Sequence, residues 1–166
     1  MKKVALLAVA ALALAGAGVA TAAAVTSRSS SGTVTLHKTK LGKVLATSSG
    51  RTLYLFMKDK NGKSACYGQC ASNWPPLMKK GTLRAGTGVK AKLLGTTTRK
   101  NGKRQVTYNH HPLYLYAGDA AAGKVSGQGL NFFGGKWWVL SAAGTAIKAA
   151  PAGGGTTTTY TVPTYP

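Results

Sequence analysis

The chain has 166 residues and a formal charge of +20, set by 22 Lys and Arg against two Asp and no Glu. Three Trp, seven Tyr and three Phe among clustered aliphatics exclude a purely disordered polyelectrolyte. Abundant Gly and Thr without Glu favour strands and turns, so the composition points to a small basic β domain or two repeats sharing one core.

At the N-terminus, Lys2-Lys3 precede an apolar run from Val4 to Ala20, and Ala20-Thr21-Ala22 supplies small residues for cleavage. This pattern predicts a signal peptide over residues 1–22, cut after Ala22. The competing reading is an uncleaved anchor, because the 17 residues Val4 to Ala20 lie at the low edge of a bilayer span. No Cys follows the run to carry a lipid, so the expected place is secreted or in the cell envelope, not lipid-anchored. Residues 23–36 read as a flexible leader, and the Gly-, Thr- and Pro-rich residues 149–166 as a disordered tail. The folded part is then 37–148.

Within it, Val44-Leu45-Ala46 leads through Ser48-Ser49-Gly50-Arg51 into Thr52-Leu53-Tyr54-Leu55-Phe56, a predicted hairpin. The run from Leu93-Leu94 to Arg99 passes Asn101-Gly102, a type I′ signal, into Lys103–Tyr108. Asn109-His110-His111-Pro112 then hands the chain to Leu113–Tyr116, which makes a meander. Lys136–Leu140 is a last strand between glycines, and no amphipathic helix is expected after the signal segment.

Two halves align, about 41–81 and about 94–145. Each has a Leu-Gly start, a hairpin, and a hexapeptide, Tyr54-Leu-Phe-Met-Lys-Asp59 or Tyr114-Leu-Tyr-Ala-Gly-Asp119. Each continues to Gly-Gln and then Trp (Gly68-Gln69 and Trp74; Gly127-Gln128 and Trp137-Trp138). With Cys66-Tyr-Gly-Gln-Cys70 and Gln105-Val-Thr-Tyr108, this pattern resembles the bacterial secreted-repeat family of predicted lipoproteins, marked by a Tyr-x-(Phe/Trp/Tyr)-x-x-Asp motif. The resemblance implies an exported repeat protein and no particular reaction. The chain departs from it in lacking the lipid-bearing Cys and in having His110-His111 where an Asn-Gly turn is usual.

The only two acidic residues, Asp59 and Asp119, each close one hexapeptide. The favoured reading makes them repeated turn locks beside Tyr54, Phe56, Tyr114 and Tyr116, with Arg51 and Arg104 as expected ionic partners. The competing reading brings both carboxylates together for acid–base or cation chemistry. Cys66 and Cys70, an even pair in an exported chain, are expected to form a local disulfide. The alternative is a redox or copper site on Cys66 and Cys70, with His37, His110, His111, Met57 and Met78 as available ligands. No cofactor is expected. Adjacent Trp137 and Trp138 must face opposite sides of a strand, which leaves one of them as a possible contact surface.

Charge is the remaining feature. Of the 20 basic residues after Ala22, 16 lie between Lys38 and Arg104. Lys79, Lys80, Arg99, Lys100, Lys103 and Arg104 are the candidate anion-binding set. The partners this suggests are an anionic cell-wall polymer, an acidic polysaccharide or a phospholipid surface, with nucleic acid bound only non-specifically. The expected protein is thus an all-β, two-repeat exported domain that binds rather than catalyses.

Overall fold

The structure, a computed structural model, describes residues 34–149. The predicted signal segment, most of the leader and the tail beyond Ala149 lie outside the described residues. Among the described residues, the strands form three small antiparallel sheets, with one short α-helix and one turn of 3-10 helix (Ala91–Leu93) beside them.

β1 (Thr35–Thr39) pairs with β2 (Gly42–Ala46), placing Leu36 opposite Leu45. The folded body therefore begins before the expected boundary at His37. Val34 is fully buried, and its carbonyl accepts the Gly86 amide at 2.8 Å. β1 shows little apolar alternation, so its strand character comes from pairing with β2 rather than from its own sequence.

The predicted hairpin follows. Ala46 lies opposite Thr52, and the Thr47 amide donates to the Arg51 carbonyl at 2.9 Å. The hairpin delivers β3 (Tyr54–Phe56) to the centre of the molecule. On one side β3 pairs with β8 (Gly135–Val139), with Phe56 opposite Trp137; β8 continues to β7 (Asn131–Phe132). On the other side Tyr54 and Tyr114 exchange backbone hydrogen bonds at 2.8 and 3.0 Å.

β3 is buried on both faces. Tyr54 and Phe56 enter one core cluster with Val44, Trp74, Tyr114, Trp137 and Val139. Leu53 and Leu55 enter the other with Leu45, Val106, Tyr108, Leu113 and Leu140. The period-two alternation of a strand thus feeds two cores at once, which is why this short run is apolar throughout.

β4 (Leu94–Thr98), β5 (Arg104–Tyr108) and β6 (His111–Pro112) form the predicted meander. Its two turns reverse the expected chemistry. At the Asn101-Gly102 connection only Gly102 has positive φ, and its amide donates to the Arg99 carbonyl at 2.9 Å. This is a three-residue loop closed by a left-handed Gly rather than a type I′ turn. The type I′ geometry sits instead at Asn109-His110, with φ of 48° and 64°. His111 is therefore not a turn residue but the first residue of β6.

Beyond β6 the expected strand through Tyr116 is reduced to bridges from Tyr114 to Tyr54 and Pro76. α1 (Gln69–Asn73), where no helix is expected, is a single turn after Gly68 whose end is tied by the Trp74 amide to the Cys70 carbonyl at 2.7 Å.

Candidate functional site

The two hexapeptides meet at the Tyr54–Tyr114 bridge and trade side chains across it. The Tyr54 hydroxyl donates to Asp119 Oδ2 at 2.6 Å, and the Tyr114 hydroxyl donates to Asp59 Oδ2 at 2.7 Å. The remaining oxygen of each carboxylate takes an amide further along its own repeat. Asp59 Oδ1 accepts from Ala65 at 2.7 Å, and Asp119 Oδ1 accepts from Ser126 at 2.9 Å. Each copy of the motif thus pins its own following loop and the other copy's tyrosine. Burial and then the bonded carboxylate push both tyrosine hydroxyls far above their ordinary range, so they stay protonated as donors.

The same exchange orders the aromatic core. Phe56 of the first repeat stacks on Trp137 of the second, with centroids 4.1 Å apart. Trp137 stacks on Trp74 at 3.9 Å, and Trp74 on Tyr116 of the second repeat at 4.3 Å. The stack reads Phe56–Trp137–Trp74–Tyr116, two indoles between a phenyl ring at one end and a phenol at the other. Tyr54 and Tyr114 meet Trp74 and Trp137 edge-on at 5.3 and 5.1 Å, the orientation that ring quadrupoles favour. Gly127 closes on this stack without a side chain: a Cβ there would lie 2.6 Å from the Trp74 ring.

The locks differ in their surroundings. Asp119 is 2 % exposed, and Tyr54 Oη also accepts the Gly127 amide at 3.3 Å. Asp59 is half-buried and belongs to a wider polar network. Tyr114 Oη also lies 2.9 Å from Ser64 Oγ, which accepts from Arg99 at 2.9 Å. Arg99 further donates to Gln105 Oε1 at 2.5 Å and to the Cys66 carbonyl at 2.6 Å, and Tyr67 covers its guanidinium at 4.4 Å. Arg99 is 6 % exposed, so it is a buried structural cation and leaves the anion-binding set. Arg51 and Arg104 are not the carboxylates' hydrogen-bond partners either: Arg51 donates to the Tyr116 carbonyl and Arg104 to Thr96 Oγ1. The tyrosines hold the place assigned to them.

Asp59 also lines a cleft of about 410 Å³ with Asn61, Gly62, His110, His111 and Pro112. Burial raises its carboxyl from 3.8 to about 6, against the Ala65 amide, the Tyr114 hydroxyl and the charge of Arg99. Burial, followed by the neighbouring His110, lowers His111. Between about pH 4 and 6 the folded protein holds a proton on Asp59 that the unfolded chain has released. Asp59's contribution is therefore full below pH 3.8 and lost as pH rises through 6. His111 acts with the opposite sign, contributing above the ordinary imidazole range and losing that contribution as pH falls. In urea titrations, the stability of the wild type minus that of Asp59→Asn, which isolates Asp59, is expected to grow from pH 7 to pH 4. A difference independent of pH contradicts this.

Cys66 and Cys70 are joined in a disulfide with Cα atoms 5.3 Å apart. Both sulfurs are spent on each other, so neither is a thiolate ligand for copper. His37 lies in β1 against Gly50 and Gly123, while His110 and His111 line the Asp59 cleft. Among the described residues, no three His, Cys or Asp side chains gather as a metal site. Trp137 is buried in the ring stack, and Trp138 is half-buried on the opposite face, with Lys136 Nζ 5.7 Å from its ring centroid.

Lys79, Lys80, Lys100, Lys103 and Arg104 are all exposed. The Lys79 amide donates to the Arg104 carbonyl at 2.9 Å, which lays the 79–80 segment beside the β4–β5 hairpin whose turn carries Lys100 and Lys103. These five exposed cations therefore lie on or beside one hairpin.

No curated protein and no solved structure matches the chain. A family model described as a secreted repeat of unknown function matches residues 35–78 and again 95–141, each match holding one Tyr–Asp hexapeptide. The chain belongs to this family of secreted repeats.

Proposed function

We propose that the protein is an exported, envelope-associated binding module that holds anionic wall polymer, acidic polysaccharide or lipid headgroups on an exposed basic surface. The observation that carries this reading is the grouping of Lys79, Lys80, Lys100, Lys103 and Arg104 around one hairpin, while both carboxylates of the chain are tied to tyrosines and amides. Cations without nearby counter-charge attract phosphate and carboxylate polymers and release their counterions on binding. The apolar N-terminal run with its small-residue end supports export, and the absence of a following Cys fits a form without a lipid anchor.

The test is binding to poly(glycerol phosphate) over a salt series. Affinity is expected to fall linearly with salt on logarithmic axes. Replacing Lys79, Lys80, Lys100 and Lys103 together with Ala is expected to lower the affinity at ~50 mM salt by at least tenfold and to flatten the slope. Affinity and slope equal to those of the wild type contradict the reading.

A further inference from the structure

The β7–β8 hairpin carries a feature that the basic surface does not explain. Its two-residue turn is Phe133-Gly134, with φ of 58° and 81°. The first position of such a turn is ordinarily Asn, Asp or Gly, because a bulky side chain is strained in the left-handed region. Here a phenylalanine occupies it and is 38 % exposed. Met57, the other large exposed apolar residue described, is 50 % exposed and donates its amide to the Lys136 carbonyl at 3.0 Å, beside the same hairpin.

Two exposed lysines flank this apolar tip. Lys58 Nζ donates to the Phe133 carbonyl at 3.4 Å, and Lys136 projects from β8 towards Trp138. Half-buried Phe132 meets the Phe133 ring edge-on at 6.4 Å and supports it from below. A strained, exposed aromatic at a hairpin tip has no role in either core cluster.

We propose that the Phe133–Met57 tip is a bilayer-contact element, dipping into the interface of an anionic phospholipid membrane with Lys58 and Lys136 at headgroup level. This rests on the proposed anion-binding function and names the phospholipid surface as a partner. The chemistry separates a bilayer from the other candidates. A phosphate polymer or acidic polysaccharide offers nothing apolar for Phe133 and Met57, whereas a membrane interface accepts aromatic and thioether side chains while lysines pair with headgroups. A second copy of the chain is disfavoured by charge. The total is +20, and both carboxylates are held internally by tyrosines of the opposite repeat.

The test uses sedimentation with vesicles of phosphatidylglycerol and phosphatidylcholine in equal parts, with poly(glycerol phosphate) in parallel. Phe133→Gly removes the ring and places at φ 58° the residue that suits it, so its Tm is expected to rise by about 2–6 °C. Its vesicle partitioning is expected to fall about tenfold, with polymer binding unchanged. Met57→Ser, which leaves the turn intact, is expected to weaken vesicle binding in the same direction. Wild-type vesicle partitioning in both variants overturns the tip while leaving the basic surface standing. Polymer binding without vesicle binding by the wild type has the same consequence. Loss of both kinds of binding in the wild type removes both proposals. Concentration-dependent self-association that disappears in Phe133→Gly makes the tip a contact between copies and also overturns the proposal.

Discussion

Asp119→Ala is expected to cost about 3–4 kcal/mol of folding stability, a large share of what a domain of this size possesses. The loss has a specific origin. The carboxylate is 2 % exposed and satisfies the Tyr54 hydroxyl with one oxygen and the Ser126 amide with the other. Removing it leaves the buried Tyr54 hydroxyl without its acceptor, frees the part-buried Ser126 amide and opens a small void. Tyr54→Phe makes the complementary error, stranding a desolvated carboxylate oxygen, and is expected to cost about 2–3 kcal/mol. The equivalent changes in the other lock are milder. Asp59 is half-buried, so water replaces the lost tyrosine hydroxyl, and Tyr114→Phe is expected to cost about 1 kcal/mol. Urea denaturation of the four variants checks the order Asp119 over Asp59 and Tyr54 over Tyr114. Equal effects in the two locks contradict the role assigned to exposure.

Trp137→Ala is the second large effect, at about 4–5 kcal/mol. Trp137 is fully buried, with Phe56 on one face at 4.1 Å, Trp74 on the other at 3.9 Å and the edge of Tyr114 at 5.1 Å. Its loss opens the middle of a stack to which both repeats contribute, and close-packed neighbours cannot collapse fully into such a space. Trp138→Ala, one residue along and half-buried on the opposite face, is expected to cost less than half as much. Comparing the two variants by thermal and urea unfolding separates the ring stack from a general loss of tryptophan. Equal effects would place the weight in the strand rather than in the stack.

The two effects share one cause, the crossing of the hexapeptides, and the sequence reveals this only in part. The repeat is legible because Tyr, aromatic and Asp recur at fixed spacing, and the period-two pattern places Tyr54 with Phe56 on one face. The pairing across repeats is not legible. Tyr54 and Asp59 stand in the same hexapeptide, and nothing local says that each serves the other copy's partner. Charge alone points to Arg51 and Arg104 as partners, yet Tyr54 and Tyr114 take the carboxylates in a core where a hydroxyl is less costly to bury than a guanidinium. Arg99 departs from expectation in the opposite direction. Cations usually lie outside, but here Gln105, Ser64 and the Cys66 carbonyl give the guanidinium enough acceptors to stay inside.

The other departures have similarly local causes. β1 has weak alternation and owes its form to β2, so its first two residues, Thr35 and Leu36, read as leader. α1 is a single turn, too short for any periodic signal, and part of it lies within the loop that the disulfide closes. The Asn101-Gly102 pair signals a hairpin correctly, but three residues rather than two span its strands, so only Gly102 needs the left-handed conformation. Phe133 carries no sequence signal at all. Its meaning comes from a backbone angle that only the structure provides.

The carboxylates are spent on joining the repeats, and the proposed function accordingly places binding on the lysine-rich surface. A double-mutant cycle on Tyr54→Phe and Asp119→Asn, read by urea denaturation, tests this most directly. The account predicts a coupling energy of about 1.5–3 kcal/mol between two residues 65 positions apart, with polymer binding unchanged in the folded fraction of each variant. Effects that add to within about 0.5 kcal/mol, or polymer binding that vanishes in variants that remain folded, would contradict it.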